Sequence, residues 1–408
     1  MARKSVVDTG GIRTNPGGSY APPSPVTALT PIAGCSLENS SDPSFSFAFI
    51  NGNQHPQLWV YQSGGHSSSI GAGWRTNDLM TQWPGTQPLP PPRSPGALSV
   101  SAFNYVFYVC YIDINGHIQA VPYRTDTSAL WAERGPDLMA TQAVLPASPD
   151  SNITSWTTAA GLYVVYVGSD GNLWELFQDW NTGGVQPTNL ATSLLYAAPK
   201  ATSTLATTTF KSVRYVAYMG IDGTIRILGS TNGQSWLCED ISSRITGTPP
   251  LSDSPLVVYG ADFQDAPGLY FVYHGTDYSI RELSWNGEVW QPDQAIQTAG
   301  GTSPDTDLVG YACQYDETRH IIYNGGENQI EELYYYAGNW GQTDISFTAE
   351  GGPVPSPYSS GSALAGYSCE LLKQRRAYYL DNLSRVRELT RVQSGKSGPW
   401  IPGEVAGP

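Results

Sequence analysis

The stretch Tyr273–Trp290, "YHGTDYSIRELSWNGEVW", holds an aromatic, a Gly/Asp turn, a short strand with Arg281 and Glu282, a second turn and a tryptophan. The same order of features recurs along the chain. "FAFINGNQHPQLWVYQ" leads to Trp74, "FYVCYIDINGHIQAVPY" to Trp131, and "LYVVYVGSDGNLWELFQDW" ends at Trp180. Later copies close at Trp236, Trp290, Trp340 and Trp400. Successive closing tryptophans are 49 to 60 residues apart by subtraction. A period of that size, built of short strands and turns, is that of a four-stranded propeller blade.

Each copy supplies two strands of period-two alternation, as in Leu269, Phe271 and Tyr273 against Tyr270 and Val272. Asn115-Gly116, Asp170-Gly171 and Asp222-Gly223 read as two-residue hairpin turns. An apolar run precedes each copy and is expected to be the innermost strand: 31–37, 97–103, 153–159, 195–205, 256–263, 308–315 and 363–371. A fourth strand is expected after each tryptophan, and the tryptophans themselves are expected to fill the joints between blades. "VGYACQY" (309–315) and "AGYSCEL" (365–371) match one another, so Cys313 and Cys369 read as small core residues. The expectation is an all-β, seven-bladed propeller of four-stranded antiparallel blades, with six blades as the lesser possibility. It spans residues 31–408, after a Gly/Pro-rich arm or ring-closing strand at 1–30, and is monomeric or weakly dimeric.

Composition narrows the function. Net charge is −14, so a phosphate backbone or an anionic membrane surface is disfavoured as a partner. Charged residues make up only 14%, against 43 glycines, 31 prolines and 25 tyrosines, which suits strands and tight turns. No signal-peptide run or membrane span is evident, and the five cysteines fit no CxxC metal pattern. A reduced, cytoplasmic setting is expected. The five histidines show no metal-ligand spacing, and there is no GxSxG, HExxH or phosphate-binding glycine loop. Neither a metal nor a cofactor is therefore expected.

The run Asp/Asn-Gly-x-Ile/Leu-x-Glu, followed by Gly-x-Trp, resembles the fungal fucose-binding lectins of the Aleuria type. That resemblance implies six blades, so seven copies are a departure. It also implies sugar sites made of an arginine, a glutamate twelve residues later, and an aromatic from the adjacent blade. Such groups offer charged hydrogen bonds to hydroxyls and a flat surface for a sugar's apolar face. The glutamate is present at Glu175, Glu282, Glu332 and Glu388, and is replaced by Val60, Ala120 and Ile227. Twelve residues earlier stand Tyr163, Tyr270, His320 and Arg376, so Arg376/Glu388 alone keeps both charges, with Trp74 as the implied aromatic by ring closure.

The chain also resembles the lectin-like hetero-Diels–Alder cyclases of fungal tropolonic sesquiterpenoid pathways. This implies a cofactor-free enzyme that orients a quinone methide against a terpene alkene in an apolar pocket, with Tyr163, Tyr270, His320 and Arg376 as candidate catalytic donors. This cyclase is the first expectation. A lectin for a fucosylated glycan, using Arg376, Glu388 and Trp74, is the alternative.

Overall fold

The structure, a computed structural model, describes residues 32–406 except 38–43, 52, 63–72, 86–87, 94–96, 126–136, 141–143, 191–197, 232–234, 265–266, 298–301, 303–305, 326–328, 348–353, 355, 358–362, 384 and 393–398. It is a seven-bladed propeller of antiparallel sheets. Blade 1 is β1 (Ile32–Leu37), β2 (Ser44–Ile50), β3 (Pro56–Gln62) and β4 (Gly73–Asp78). Blade 2 is β5 (Leu98–Phe103), β6 (Val106–Ile112) and β7 (Ile118–Arg124), with a bridge from Gln119 to Asp137 in the fourth position. Blade 3 is β8 (Ile153–Thr157), β9 (Gly161–Val167), β10 (Leu173–Asp179) and β11 (Val185–Asn189). Blade 4 is β12 (Ala206–Phe210), β13 (Val213–Met219), β14 (Ile225–Ser230) and β15 (Leu237–Asp240). Blade 5 is β16 (Val257–Ala261), β17 (Gly268–His274), β18 (Ile280–Trp285) and β19 (Trp290–Gln297). Blade 6 is β20 (Leu308–Cys313), β21 (Thr318–Asn324), β22 (Ile330–Tyr336) and β23 (Asn339–Asp344). Blade 7 is β24 (Leu364–Cys369), β25 (Gln374–Leu380), β26 (Val386–Val392) and β27 (Ile401–Ala406).

Among the described residues, blades 1 and 7 each take four strands from their own segment, and β1 lies beside β24 to close the ring. Ser36 Oγ donates to the Ser368 carbonyl across that joint at 3.2 Å. The expected arm at 1–30 and Trp131 lie outside the described residues. No helix among the described residues is long and apolar enough to cross a membrane.

Alternation explains why the blades stack. All seven residues of β17 are buried. Leu269, Phe271 and Tyr273 enter the core shared with blade 4, and Tyr270 and Val272 the core shared with blade 6. A strand apolar on both faces needs a sheet on each side, and a closed ring provides one for every blade. Cys313 and Cys369 are fully buried in these joints, as their repeat implies. Trp180 stacks on Tyr108 of blade 2 at 5.0 Å, and Trp236 and Trp400 are buried against the preceding blade.

Two expectations need correction. The innermost strand of blade 4 is 206–210, not 195–205. Its "ATTTF" is mostly threonine because an innermost strand borders the channel, so apolar runs are a poor guide there. The hairpins carry three-residue loops, not two. Gly168 N–H bonds to Asn172 O and Gly171 N–H to Gly168 O, with Gly171 at φ +75. Gly116 and Gly223 repeat this at +81 and +76, a turn closed by a left-handed residue.

Innermost strands also approach closely at glycines. A Cβ on Gly310 would lie 2.7 Å from Val257 Cγ1, 2.9 Å from Ile321 Cδ1 and 3.0 Å from Tyr259 Cε1. Gly310→Ala is therefore expected to cost about 1–3 kcal/mol by overpacking the joint between blades 5 and 6, measured by urea denaturation.

Candidate functional site: the inter-blade clefts

The candidate glutamates sit on the third strand of their blades, two residues after the hairpin-closing pair. In β26 the pair is Leu380 with Val386, and Glu388 follows. The same register in blade 1, where Ile50 pairs with Pro56, puts Leu58 in the glutamate position rather than Val60. Both face the same way, and a shift of two residues is invisible to a period-two pattern.

Each glutamate points into the cleft before the next blade, and for three of the four the partner was not legible in the sequence. Glu175 accepts from Arg214 Nη1 of blade 4 at 3.1 Å. Glu282 accepts from Arg319 Nη1 of blade 6 at 2.8 Å, and from Tyr259 Oη at 3.1 Å. Glu332 lies 3.8 Å from Arg375 and 3.4 Å from Arg391, both of blade 7, and accepts from Trp400 Nε1 at 3.2 Å. The three glutamates are therefore not stripped of a cationic partner, as their own blades suggest. Arg214, Arg319 and Arg375 each stand five residues before the end of a second strand, directly before Tyr215, His320 and Arg376. Adjacent residues of a strand face opposite ways, so each arginine reaches the preceding blade while its neighbour faces the following one.

The rule extends to the uncharged clefts. Where the glutamate position is Leu58, Ala120 or Ile227, the facing position is Phe107, Leu162 or Leu269, and each pair shares one apolar core. Charge meets charge and carbon meets carbon, which keeps buried ions paired.

The guanidinium groups fill these clefts. Arg319 Cζ lies 3.9 Å from the Tyr270 ring centroid and 4.0 Å from that of Tyr335. Arg214 Cζ lies 4.2 Å from the Tyr163 centroid, and Tyr163 stacks on Trp156 and Phe177. His320 is fully buried, donates from Nδ1 to Glu332 at 2.9 Å, and accepts at Nε2 from Arg375 at 2.7 Å. Burial holds this imidazole below its usual range. Burial opposes the Glu332 charge, but the His320 hydrogen bond and the nearby arginines outweigh it and hold the carboxyl low. At Glu175, which has one arginine opposite and no histidine, burial wins and pushes the carboxyl up to about 7 despite Arg214.

Cys313, Asp316 and His320 also converge, their donor atoms within 4.8 Å of one another, which sequence spacing did not suggest. Arg375 sits among them, 2.7 Å from His320 and 4.0 Å from Asp316, and supplies the positive charge there.

The cleft between blades 7 and 1 differs. Glu388 bonds to Arg376 of its own blade, and Tyr378 Oη donates to the same carboxylate at 3.0 Å. Arg376 Nη2 also donates to Gln374 Oε1 at 2.9 Å. Its Cζ lies 5.3 Å from the Tyr61 ring of blade 1, so the aromatic seen across the cleft is Tyr61. Trp74 pairs with Tyr61 as Trp340 pairs with Tyr335; the Trp74 side chain lies outside the described residues. The candidates Tyr163, Tyr270, His320 and Arg376 occupy one strand position in four different blades and face four separate clefts.

This fold has counterparts among solved structures. Its structural neighbours are Aleuria-type fucose-lectin propellers. BP39L lectin from Burkholderia pseudomallei superposes with a TM-score of 0.66 at 15% identity, covering 91% of this chain and 98% of that one. A point mutant of Aleuria aurantia lectin, in complex with α-methyl-L-fucoside, gives 0.53 at 13% identity, covering 79% of this chain and 96% of that one. AofleA from Arthrobotrys oligospora gives 0.54 at 13%, covering 79% and 87%. The Aleuria lectin is described as six-bladed, so a seventh blade is a real difference. No protein-family model and no curated protein matches the sequence.

Proposed function

We propose that this propeller is a carbohydrate-binding protein of the lectin type, taking a fucose-like sugar of a glycan in the cleft between blades 7 and 1. The observation that carries the reading is the Arg376–Glu388 pair within one blade, facing Tyr61 of the next. Arg376 and Glu388 supply charged hydrogen bonds to vicinal hydroxyls, and Tyr61 supplies the aromatic face, with Trp74 on the neighbouring strand. Neighbouring folds bind fucose: one solved structure is a complex with α-methyl-L-fucoside, and another is of a fucose-specific lectin.

The cyclase reading asks for one apolar pocket that holds two reactants, with donors drawn from the candidates Tyr163, Tyr270, His320 and Arg376. Those four side chains face separate clefts, and three of them sit beside an arginine from the next blade. Sugar binding needs only the residues of one cleft.

A glycan array at millimolar sensitivity tests the reading, with fucosylated glycans expected to bind. Arg376→Ala is expected to abolish binding, since it removes charged hydrogen bonds of about 1.5–3 kcal/mol. Tyr61→Ala should weaken it at the cleft rim. An array blank across all glycans, with folded protein, would sink the proposal.

A further inference from the structure

Three of the four inter-blade glutamates are held by an arginine of the following blade, and the fourth is not. We propose that the residue five places before the end of each second strand decides whether the preceding cleft is sealed or competent, and that Phe45 leaves the cleft between blades 7 and 1 as the single ligand site. The inference rests on the sugar-binding reading and adds the residue that sets which clefts take a sugar, and how many.

Register places the position. Phe45 pairs with Tyr61 in blade 1 as Arg319 pairs with Tyr335 in blade 6. Arg319 reaches back to Glu282 and lies between the rings of Tyr270 and Tyr335, in the space where a sugar's apolar face would stack. Arg214 acts likewise at Glu175, and at Glu332 Arg375 stands 3.8 Å away while Arg391 of the same blade donates at 3.4 Å. The position that carries arginine in blades 4, 6 and 7 carries an uncharged residue in blade 1, and Glu388 bonds instead to Arg376 on the neighbouring strand of its own blade. Exposure follows the same division. The Glu388 side chain keeps 10% of its surface in solvent, against 2%, 1% and 0% for Glu175, Glu282 and Glu332. Glu388 is thus the glutamate of the four with an edge that a hydroxyl can reach.

The test uses the full chain with α-methyl-L-fucoside as probe. Phe45→Arg should weaken binding by about tenfold or more, because the introduced guanidinium captures Glu388. Unchanged affinity overturns the proposal. The reciprocal variant Tyr270→Arg with Arg319→Leu restores an arginine to the same blade as Glu282 and removes the seal. Its calorimetric stoichiometry should rise from one to two, and a value held at one in folded protein overturns the proposal, whether or not the first variant folds. If the wild-type protein binds no fucoside, the sugar reading falls on its own. A crystal structure of the Phe45→Arg variant then still decides: Glu388 on the introduced guanidinium supports the seal, and Glu388 left on Arg376 overturns it.

Discussion

Arg319→Leu alone is expected to destabilise the protein by about 3–5 kcal/mol, read as a lower urea midpoint at unchanged slope. The cost comes from what stays behind. Glu282 is 2% exposed and loses its cationic partner, keeping a tyrosine hydroxyl and a 3.5 Å contact from Gln294. Arg319 also fills the gap between two tyrosine rings, so its loss leaves a cavity. The triple variant Tyr259→Phe, Glu282→Leu, Arg319→Leu should recover most of that loss. It removes both ions and the hydroxyl that donates to the carboxylate, and it copies a solution the molecule already uses. The joint between blades 4 and 5 is closed by Ile227 and Leu269 in these two positions, inside one apolar cluster. Desolvating two charges costs about as much as their attraction returns, so an apolar replacement of similar volume is near neutral. If the triple variant is as unstable as the single one, the bridge is more than a local filler of the joint.

His274→Met is expected to stabilise the protein by about 1–3 kcal/mol at neutral pH. His274 is fully buried, and neither ring nitrogen has a hydrogen-bond partner among the described residues. Five of the six equivalent strand ends are apolar, Ile50, Ile112, Val167, Met219 and Leu380, against Asn324 in blade 6, so the position favours carbon. The backbone bonds there, from His274 N–H to Ser254 Oγ at 2.8 Å and from Leu251 N–H to His274 O, survive the change. Burial pushes the imidazole down from its usual 6.5 to about 4. A depressed base binds fewer protons folded than unfolded, so its contribution is complete above pH 6.5 and is lost as pH falls toward 4. The advantage of the methionine variant should therefore grow by about 3 kcal/mol across that window. Glu175 works in the opposite sense. Its raised carboxyl favours the folded state below pH 4.5 and loses that contribution as pH rises through 7. The measurement is thus the difference between variant and wild type at each pH, in which Glu175 cancels. A constant difference from pH 8 to pH 4 would show that the imidazole is not held neutral.

The sequence by itself determined seven repeats, the strand pairs within each, their burial on both faces and the core role of Cys313 and Cys369. Those follow from local facts: alternation fixes which residues share a face, and a Gly beside Asp or Asn fixes where a strand turns. It also singled out Arg376 and Glu388, because their spacing lies within one hairpin. It missed the fourth innermost strand, where a channel-side run of threonines carries no apolar signal, and it set the blade 1 glutamate position two residues late.

Only the tertiary structure decided what fills each cleft. Arg214 meets Glu175 across 39 residues and Arg319 meets Glu282 across 37, from one blade to the next. A two-residue period says that Arg319 and His320 face opposite ways, but not which neighbour stands opposite. That neighbour exists because the ring closes, over the 332 residues that separate Ser36 from Ser368. Pairing across a joint is a property of two stacked sheets, and a buried ion requires its partner there whatever the intervening sequence. For that reason four glutamates that look alike along the chain become three bridges between blades and one pair within a blade that keeps an edge to solvent.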